Sequence, residues 1–352
     1  MLYSKRQRSR FCLQEQYGRF LAATITTAPK WDADLPDKPD HEVVIVRHQE
    51  NQENQRPILF LMKIAILSDI HGNLPALEAV ADDIARWQPD QVIVNGDIVN
   101  RGPCSLDCLT FAQARAHDSA WHLLRGNHED FVLGCGAPDS PRSGPNYDII
   151  QFAHWAYEQL GSHVNSLAGL PDRWSWEAPD GTELRVTHAS MENNRDGIFP
   201  HTPDEQLRQQ IAPPPAVFVT AHTHEALMRQ LDNTLVVNTG SVGAPFDEDT
   251  RASYGRFVWS ERRGWQADIV RLEYDRAQTE RDYVESGFLA EAGPLAQLML
   301  IEQRRARGLI YRWLTRYQDL VLAKQMSIAE SVRRVLRDED LRPFIGPPGW
   351  TI

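Results

Sequence analysis

The sequence predicts an α/β fold of mixed α+β character, a four-layer sandwich. Two mixed β-sheets stack face to face, helices flank them, and a helical extension follows at the C-terminal end. Three observations lead there. Between residues 62 and 160, short apolar strands alternate with amphipathic helices, the pattern of a parallel βαβ sheet. From 173 to 272, strand-like runs follow one another with few helices between them, enough for a second, mixed or antiparallel sheet. From 275 to 338 the apolar spacing is helical.

Residues 1–61 read as a low-order N-terminal extension or linker. The segment Lys30–Pro57 is rich in Pro, Asp, Glu, Gln and Asn, and Gln49–Gln55 is almost purely polar. Lys5, Arg6, Arg8 and Arg10 precede a weak apolar run, Phe20–Ala28. Glu15 interrupts this arrangement and the run holds three Thr, so a signal peptide is disfavoured. Met62 opens the folded part and is a candidate translation start. Lys63–Ser68 (KIAILS) is a short apolar run ending at a polar turn, as a buried parallel strand requires. Leu74–Trp87 carries apolar residues at 74, 77, 80, 81, 84 and 87, one helical stripe. Gln91–Asn95 is a strand, Leu106–Ala116 a helix, Trp121–Leu124 a strand and Tyr147–Leu160 a helix. The later strands are Arg173–Glu177, Glu183–His188, Ala216–Ala221, Ala226–Leu231, Thr234–Asn238, Tyr254–Ser260 and Gln266–Leu272. A two-sheet domain over 62–273 and a helical extension over 274–352 follow from this division. Leu295–Lys324 shows an amphipathic stripe interrupted at Gly308.

Composition excludes several classes. The 352 residues are 42% hydrophobic and 24% charged, which rules out collagen-like and wholly disordered chains. No run approaches the 18 or more apolar residues of a membrane span. A formal net charge of −11 argues against non-specific coating of nucleic acid, though a local positive site for a phosphorylated ligand remains compatible. Cys12, Cys104, Cys108 and Cys135 are too few for a disulfide scaffold and form no C-x-x-C pair. Cys104 and Cys108, spaced i, i+4, read as packing residues. These counts suit a reducing cytoplasm.

Five motifs sit at turns after strands, where an open α/β sheet places its ligands. They are Asp69-Ile70-His71, Gly96-Asp97, Gly126-Asn127-His128-Glu129, His188, and His222-Thr223-His224. Asp, Asn and His offer oxygen and nitrogen donors without thiolate. Seven such side chains can hold two divalent cations, with Asp97 placed in sequence order to bridge them. This donor set suits Mn²⁺, Fe²⁺, Co²⁺, Ni²⁺ or Zn²⁺ better than Cu(I). Two cations roughly 3.5–4 Å apart clamp the attacking and leaving oxygens of an in-line displacement at phosphorus, and a hydroxide held between them is a strong nucleophile.

The ordered series D-x-H, G-D, G-N-H-E, H and H-x-H resembles the calcineurin-like metallophosphoesterase superfamily over about Met62–Leu272. The resemblance implies the two-sheet fold and a two-metal phosphoesterase cleaving phosphate mono- or diesters, with Mn²⁺ the first choice of metal. One metal would be held by Asp69, His71, Asp97 and His224, the other by Asp97, Asn127, His188 and His222. His128 would sit beside the phosphoryl group and protonate the leaving oxygen or stabilise transition-state charge, making His128 and Asp97 the catalytic pair. Arg101 and Arg125 resemble phosphate-gripping arginines of the phosphoprotein phosphatase and diadenosine tetraphosphatase branch, and Asn127 would share that contact. Asn100 stands where that branch has Asp, so an ion pair is lost there. Asn238-Thr239-Gly240-Ser241-Val242-Gly243 is closer to the bacterial phosphodiesterase branch, with the glycines permitting a tight turn beneath the metals. Ala221 replaces the family's Gly before H-x-H.

Two alternatives accompany this reading: a non-catalytic scaffold on the same fold, and a nuclease-type phosphodiesterase. Residues 302–342 hold ten basic and six acidic side chains, a modest bias that a solvated helix face explains. The expected partner is a small phosphorylated substrate or a phosphoprotein, with neither nucleic acid nor membrane. The C-terminal helices would cover the site or pair two copies of the chain. Loops 138–146 and 192–203 would shape the substrate pocket.

Overall fold

The computed structural model describes residues 61–337 and 339–345. The expectations of a polar linker, a basic start and a weak apolar run all fall outside the described residues. Strand β1 (Leu61–Leu67) begins one residue before Met62. It leads to α1 (Leu74–Trp87), β2 (Gln91–Asn95), α2 (Ser105–Asp118), β3 (Trp121–Leu124), α3 (Asn127–Cys135) and α4 (Gly144–Leu160). After a 3₁₀ segment, β4 (Arg173–Glu177), β5 (Glu183–Thr187), α5 (Asp204–Gln210), β6 (Val217–Thr220), β7 (Leu227–Leu231), β8 (Thr234–Asn238), β9 (Ala252–Ser260) and β10 (Gly264–Leu272) follow. Helices α6 (Arg276–Glu285), α7 (Phe288–Glu291), α8 (Leu295–Arg305), α9 (Ile310–Leu322) and α10 (Ile328–Leu336) complete it.

The strands form two five-stranded sheets. One has the order β10-β9-β1-β2-β3, the other β4-β5-β6-β8-β7. Each has three parallel strands, β1-β2-β3 and β5-β6-β8, with antiparallel neighbours. Period-2 alternation along β1 explains its burial on both faces. Ile64 and Ile66 face the second sheet, packed with Ile93, Leu184, Val219, Phe257 and Trp259. Ala65 and Leu67 face the outer helices, packed with Leu77, Val80 and Leu109. Helix α1 forms where the stripe predicts. Its Asn73 cap accepts from the Ala76 N–H at 3.2 Å. The second sheet has its own outer core, where Leu207 and Ile211 cover Phe218 and Val236.

Three differences from the sequence reading have local causes. Helix α3 starts at Asn127, within a motif expected to be a turn; its nine residues are too few for a clear apolar stripe. Helix α5 was not anticipated, because its polar sequence DEQLRQQ has a single apolar residue, the buried Leu207. The C-terminal stripe divides into α8 and α9, separated by Ala306 in a left-handed conformation (φ 49°) and then Gly308. These helices pack on α3 and α4 through Phe131, Ile149, Phe152, Leu298 and Trp313. Cys108 is buried and Cys104 partly so; both are free thiols, which burial pushes upward, to about 12 for Cys104. Among the described residues, no helix is long and apolar enough to cross a membrane.

Trp259 is 1% exposed and lies in the core shared by the two sheets. Trp259→Ala should therefore cost about 3–5 kcal/mol, read as a lowered midpoint in urea unfolding.

Candidate functional site

The five motifs converge at the C-terminal ends of the parallel strands, along the seam between the sheets. Asp69 and His71 follow β1, Asp97 follows β2, and Asn127 follows β3. His188 follows β5, and His222 and His224 follow β6. All seven are buried. A chain that leaves a strand and must immediately turn a side chain sideways has few backbone choices. Asp69 (φ 53°), His71 (49°), Asp97 (55°), His222 (66°) and His224 (58°) all adopt left-handed conformations. Such residues cost of order 1–3 kcal/mol each and persist only where the surroundings enforce them.

Part of that enforcement is close backbone packing around the D-x-H loop. A Cβ added to Gly102 would lie 2.0 Å from the His71 carbonyl oxygen, and one on Gly243 would lie 1.8 Å from that of Ile70. Gly243 thus serves close approach, whereas Gly240, at φ +74°, makes the turn itself. Ala221, where a Gly was expected, fits: it is buried, and its N–H donates to the His188 carbonyl at 2.9 Å.

The other part is Glu129. One carboxylate oxygen accepts the N–H groups of Asp97 and Gly126, each at 2.8 Å. The other accepts those of Ile98 at 2.7 Å and Val99 at 3.3 Å. Glu129 is fully buried. Burial raises its carboxyl to about 7 and the Asp97 charge adds to this, while the backbone donors pull the other way. Four N–H groups aimed at two oxygens match the ionised, acceptor-only form. Glu129 therefore ties the loop bearing Asp97 to the helix bearing Asn127 and His128. The His128 N–H then donates to Asp97 Oδ1 at 2.8 Å.

Two donor groups result. The ligand atoms of Asp69, His71, Asp97 and His224 lie within 4.8 Å of one another, as do those of Asp97, His188 and His222. His224 Nε2 is 3.2 Å from Asp69 Oδ1 and 3.1 Å from His71 Nε2, which is 3.7 Å from Asp97 Oδ2. His188 Nε2 is 3.3 Å from Asp97 Oδ2. Asn127 Oδ1 adds a further donor, 3.0 Å from His188 Nε2 and 2.8 Å from His222 Nδ1. Asp97 belongs to both groups.

These residues fit a pair of divalent cations. Asp69 Oδ1 and Asp97 Oδ2 are buried and have no hydrogen-bond partner among the described residues. A buried anionic oxygen without a donor needs a positive charge beside it. The imidazoles are oriented from behind: His188 Nδ1 faces the Asn95 carbonyl at 2.8 Å and His224 Nδ1 faces that of Ala244 at 2.6 Å. Each Nδ1–H donates to its carbonyl, leaving Nε2 as the ligating lone pair. Burial, with neighbouring histidine charge, pushes His71 well down and His222 to about 3, favouring the neutral ligand form. Burial also pushes His188 down, but the Asp97 carboxylate outweighs it and raises His188 to about 10. A cation would compete with that proton for Asp97.

His128 and the arginines are placed differently from one another. Asn100 Oδ1 accepts the Arg101 N–H at 2.9 Å, so its amide nitrogen is the group facing His128 Nδ1 at 2.9 Å. Nδ1 therefore accepts and the ring proton sits on Nε2. Burial keeps His128 neutral, pushing it to about 3. Arg101 was expected to meet substrate; the structure pairs its guanidinium with Glu302 at 2.6 Å. Arg125, expected to grip phosphate or pair at the surface, makes ion pairs with Asp172 at 2.9 Å and Asp130 at 3.3 Å. It can do so because it precedes α3 on the side where the loop after the 3₁₀ segment returns. Three residues were not assigned roles from sequence: Glu129, Asn100 and Glu302. A Glu three positions after Gly126, at the third residue of a helix, was a readable signal for the first. Glu302 lies some 200 positions from its partner and carried no local signal.

Replacing Glu129 by Gln puts an amide N–H₂ against two backbone N–H groups. Glu129→Gln should lose about 1–3 kcal/mol of stability, measured by urea unfolding.

Comparison with known proteins agrees with this geometry. The sequence model of calcineurin-like phosphoesterases matches residues 62–226. An uncharacterized protein of Methanocaldococcus jannaschii is 28% identical over 225 residues, covering 60% of this chain and 88% of that protein. The symmetrical bis(5'-nucleosyl)-tetraphosphatase of Azotobacter vinelandii is 28% identical over 167 residues, 40% of this chain and 58% of its own length. The human serine/threonine-protein phosphatase with EF-hands 1 is 23% identical over 218 residues, and the match spans 57% of this chain but 31% of that protein. Among solved structures, a metallophosphoesterase from Sphaerobacter thermophilus superposes with a TM-score of 0.50 at 27% identity. That match covers 65% of this chain and 95% of the other. Motif order, two-sheet architecture and these likenesses agree: the chain belongs to the calcineurin-like metallophosphoesterase superfamily.

Proposed function

We propose that the chain is a two-metal phosphoesterase that hydrolyses phosphate mono- or diesters. The observation that carries this reading is the pair of unpartnered buried oxygens, Asp69 Oδ1 and Asp97 Oδ2, ringed by imidazoles. Asp69, His71, Asp97 and His224 would hold one cation, and Asp97, Asn127, His188 and His222 the other. Two bound cations supply charge stabilisation at phosphorus and an activated water at neutral pH. Mixed oxygen and imidazole donors admit Mn²⁺, Fe²⁺, Co²⁺, Ni²⁺ or Zn²⁺, and among these Mn²⁺ is our first choice.

The chain's own residues supply the rest. His128 holds its proton on Nε2 and donates it as a hydrogen bond to a phosphoryl oxygen as charge builds there. Asn100 fixes that tautomer. Glu129 keeps Asp97 and His128 in register. Arg101, in the loop after β2, is held by Glu302 and lies against Phe246, which stacks on His224, a position from which its N–H donors would reach a phosphate oxygen. The A. vinelandii tetraphosphatase and the human phosphatase both act on phosphate bonds by name, which supports the reaction class and leaves the substrate to experiment.

With Mn²⁺, the protein should hydrolyse p-nitrophenyl phosphate or bis-p-nitrophenyl phosphate. EDTA should abolish turnover, and Asp97→Asn should lower it by at least ~10³-fold. Turnover that survives the chelator would sink the proposal. Mn²⁺ at ~100 times its Kd should raise the unfolding free energy by about 2.7 kcal/mol per site, visible as a higher thermal midpoint. Asp97→Asn should remove that shift.

A further inference from the structure

The C-terminal helices reach the site through one buried ion pair. Arg101 is 6% exposed and Glu302, on α8, is 3% exposed, with Arg101 Nη2 and Glu302 Oε2 2.6 Å apart. The other carboxylate oxygen of Glu302 accepts the N–H groups of Leu309 and Ile310, where α9 begins. Glu302 is thus fixed from both sides. Arg101 is fixed as well. Its backbone is left-handed at φ 67°, and its carbonyl accepts the Tyr283 hydroxyl at 3.2 Å. Its guanidinium lies 5.6 Å from the Phe246 ring centroid, and Phe246 stacks on His224 at 4.4 Å. One contiguous path runs from α8 through Arg101 and Phe246 to a metal-ligand histidine.

This pairing changes what Arg101 can offer a substrate. An unpaired arginine beside a phosphate brings a full positive charge. An arginine locked to a buried carboxylate brings hydrogen-bond donors but little net charge, and the carboxylate repels further negative charge. Phosphomonoesters carry close to two negative charges at neutral pH, since their second pKa is about 6. Phosphodiesters carry one. Neutralising Arg101 thus withholds the charge that a dianion needs more than a monoanion does.

We infer that Glu302 is a positioning residue that, through Arg101, biases the site toward singly charged phosphodiesters over doubly charged phosphomonoesters. The substrate side of this inference rests on the phosphoesterase reading. Its anion side does not, so binding and turnover separate the two.

Glu302→Gln in the full-length, Mn²⁺-loaded protein is the direct test. Gln keeps an oxygen for Leu309 and Ile310, removes the charge, and turns an N–H₂ instead of an acceptor toward Arg101. KM for p-nitrophenyl phosphate should fall about tenfold while that for bis-p-nitrophenyl phosphate changes much less, so the diester-over-monoester ratio of kcat/KM falls about tenfold. Calorimetric titration with inorganic phosphate at pH 8 reads the same pair without turnover, and affinity should tighten about tenfold. Arg101→Met combined with Glu302→Met removes both buried charges together and guards against misfolding of the single variant. It should bind phosphate no tighter than the parent chain. The inference is overturned if phosphate affinity in Glu302→Gln is unchanged or absent, or if the double variant gains as much as the single one. Tighter phosphate binding in Glu302→Gln with no turnover of either ester would support the inference and overturn the phosphoesterase reading alone.

Discussion

A buried carboxylate must be met by donors, and the site depends on how Glu129 meets that demand. Its two oxygens collect four backbone N–H groups from two separate segments, the loop after β2 and the start of α3. The loop after β2 meanwhile offers its Gly96, Asp97 and Ile98 carbonyls to the N–H groups of Asp69, His71 and Gly72. Without this carboxylate the N–H groups of Asp97, Ile98 and Gly126 would be buried and unpaired, a combination folded chains avoid. With it, Asp97, Asn127 and His128 come into one rigid frame. The left-handed backbone at Asp97 is the geometric cost of turning its side chain back toward that frame.

The second requirement is charge. Asp69, Asp97 and Glu129 bring three carboxylates into one buried region. Glu129 is satisfied by backbone dipoles, but Asp69 and Asp97 each keep an oxygen that has no hydrogen-bond partner among the described residues and faces imidazole nitrogens. Burial holds His71 and His222 neutral, so they offer lone pairs rather than charge. That asymmetry, with some carboxylates satisfied internally and others left for a cation, separates a structural acid from a metal ligand within a single motif cluster.

Much of this was legible in the sequence. The run Lys63–Ser68 and the stripe from Leu74 to Trp87 each had one sensible period, and both elements formed close to the expected positions. The seven donor residues could be named because each follows a strand, and parallel strands place their C-terminal ends together. Other features were not legible for definite reasons. Helix α5 owes its place to Leu207 and Ile211 beneath a polar surface, and no periodic signal marks it. The pairing of Arg101 with Glu302 depends on how α8 docks, a tertiary fact that local spacing does not encode. Asn100 was visible as a lost ion pair, but its role in choosing the His128 tautomer required knowing where its amide points.

The seam between the sheets has a consequence for how the chain reaches this state. Asp69, His71, Asp97 and Asn127 belong to one sheet, while His188, His222 and His224 belong to the other. The first and last of them are separated by more than 150 positions, so the complete donor set is a product of long-range contacts, which form late. No half of the chain carries both groups. Completion of the donor set and final docking of the two sheets are therefore one thermodynamic event, and the centre is whole only once folding has finished.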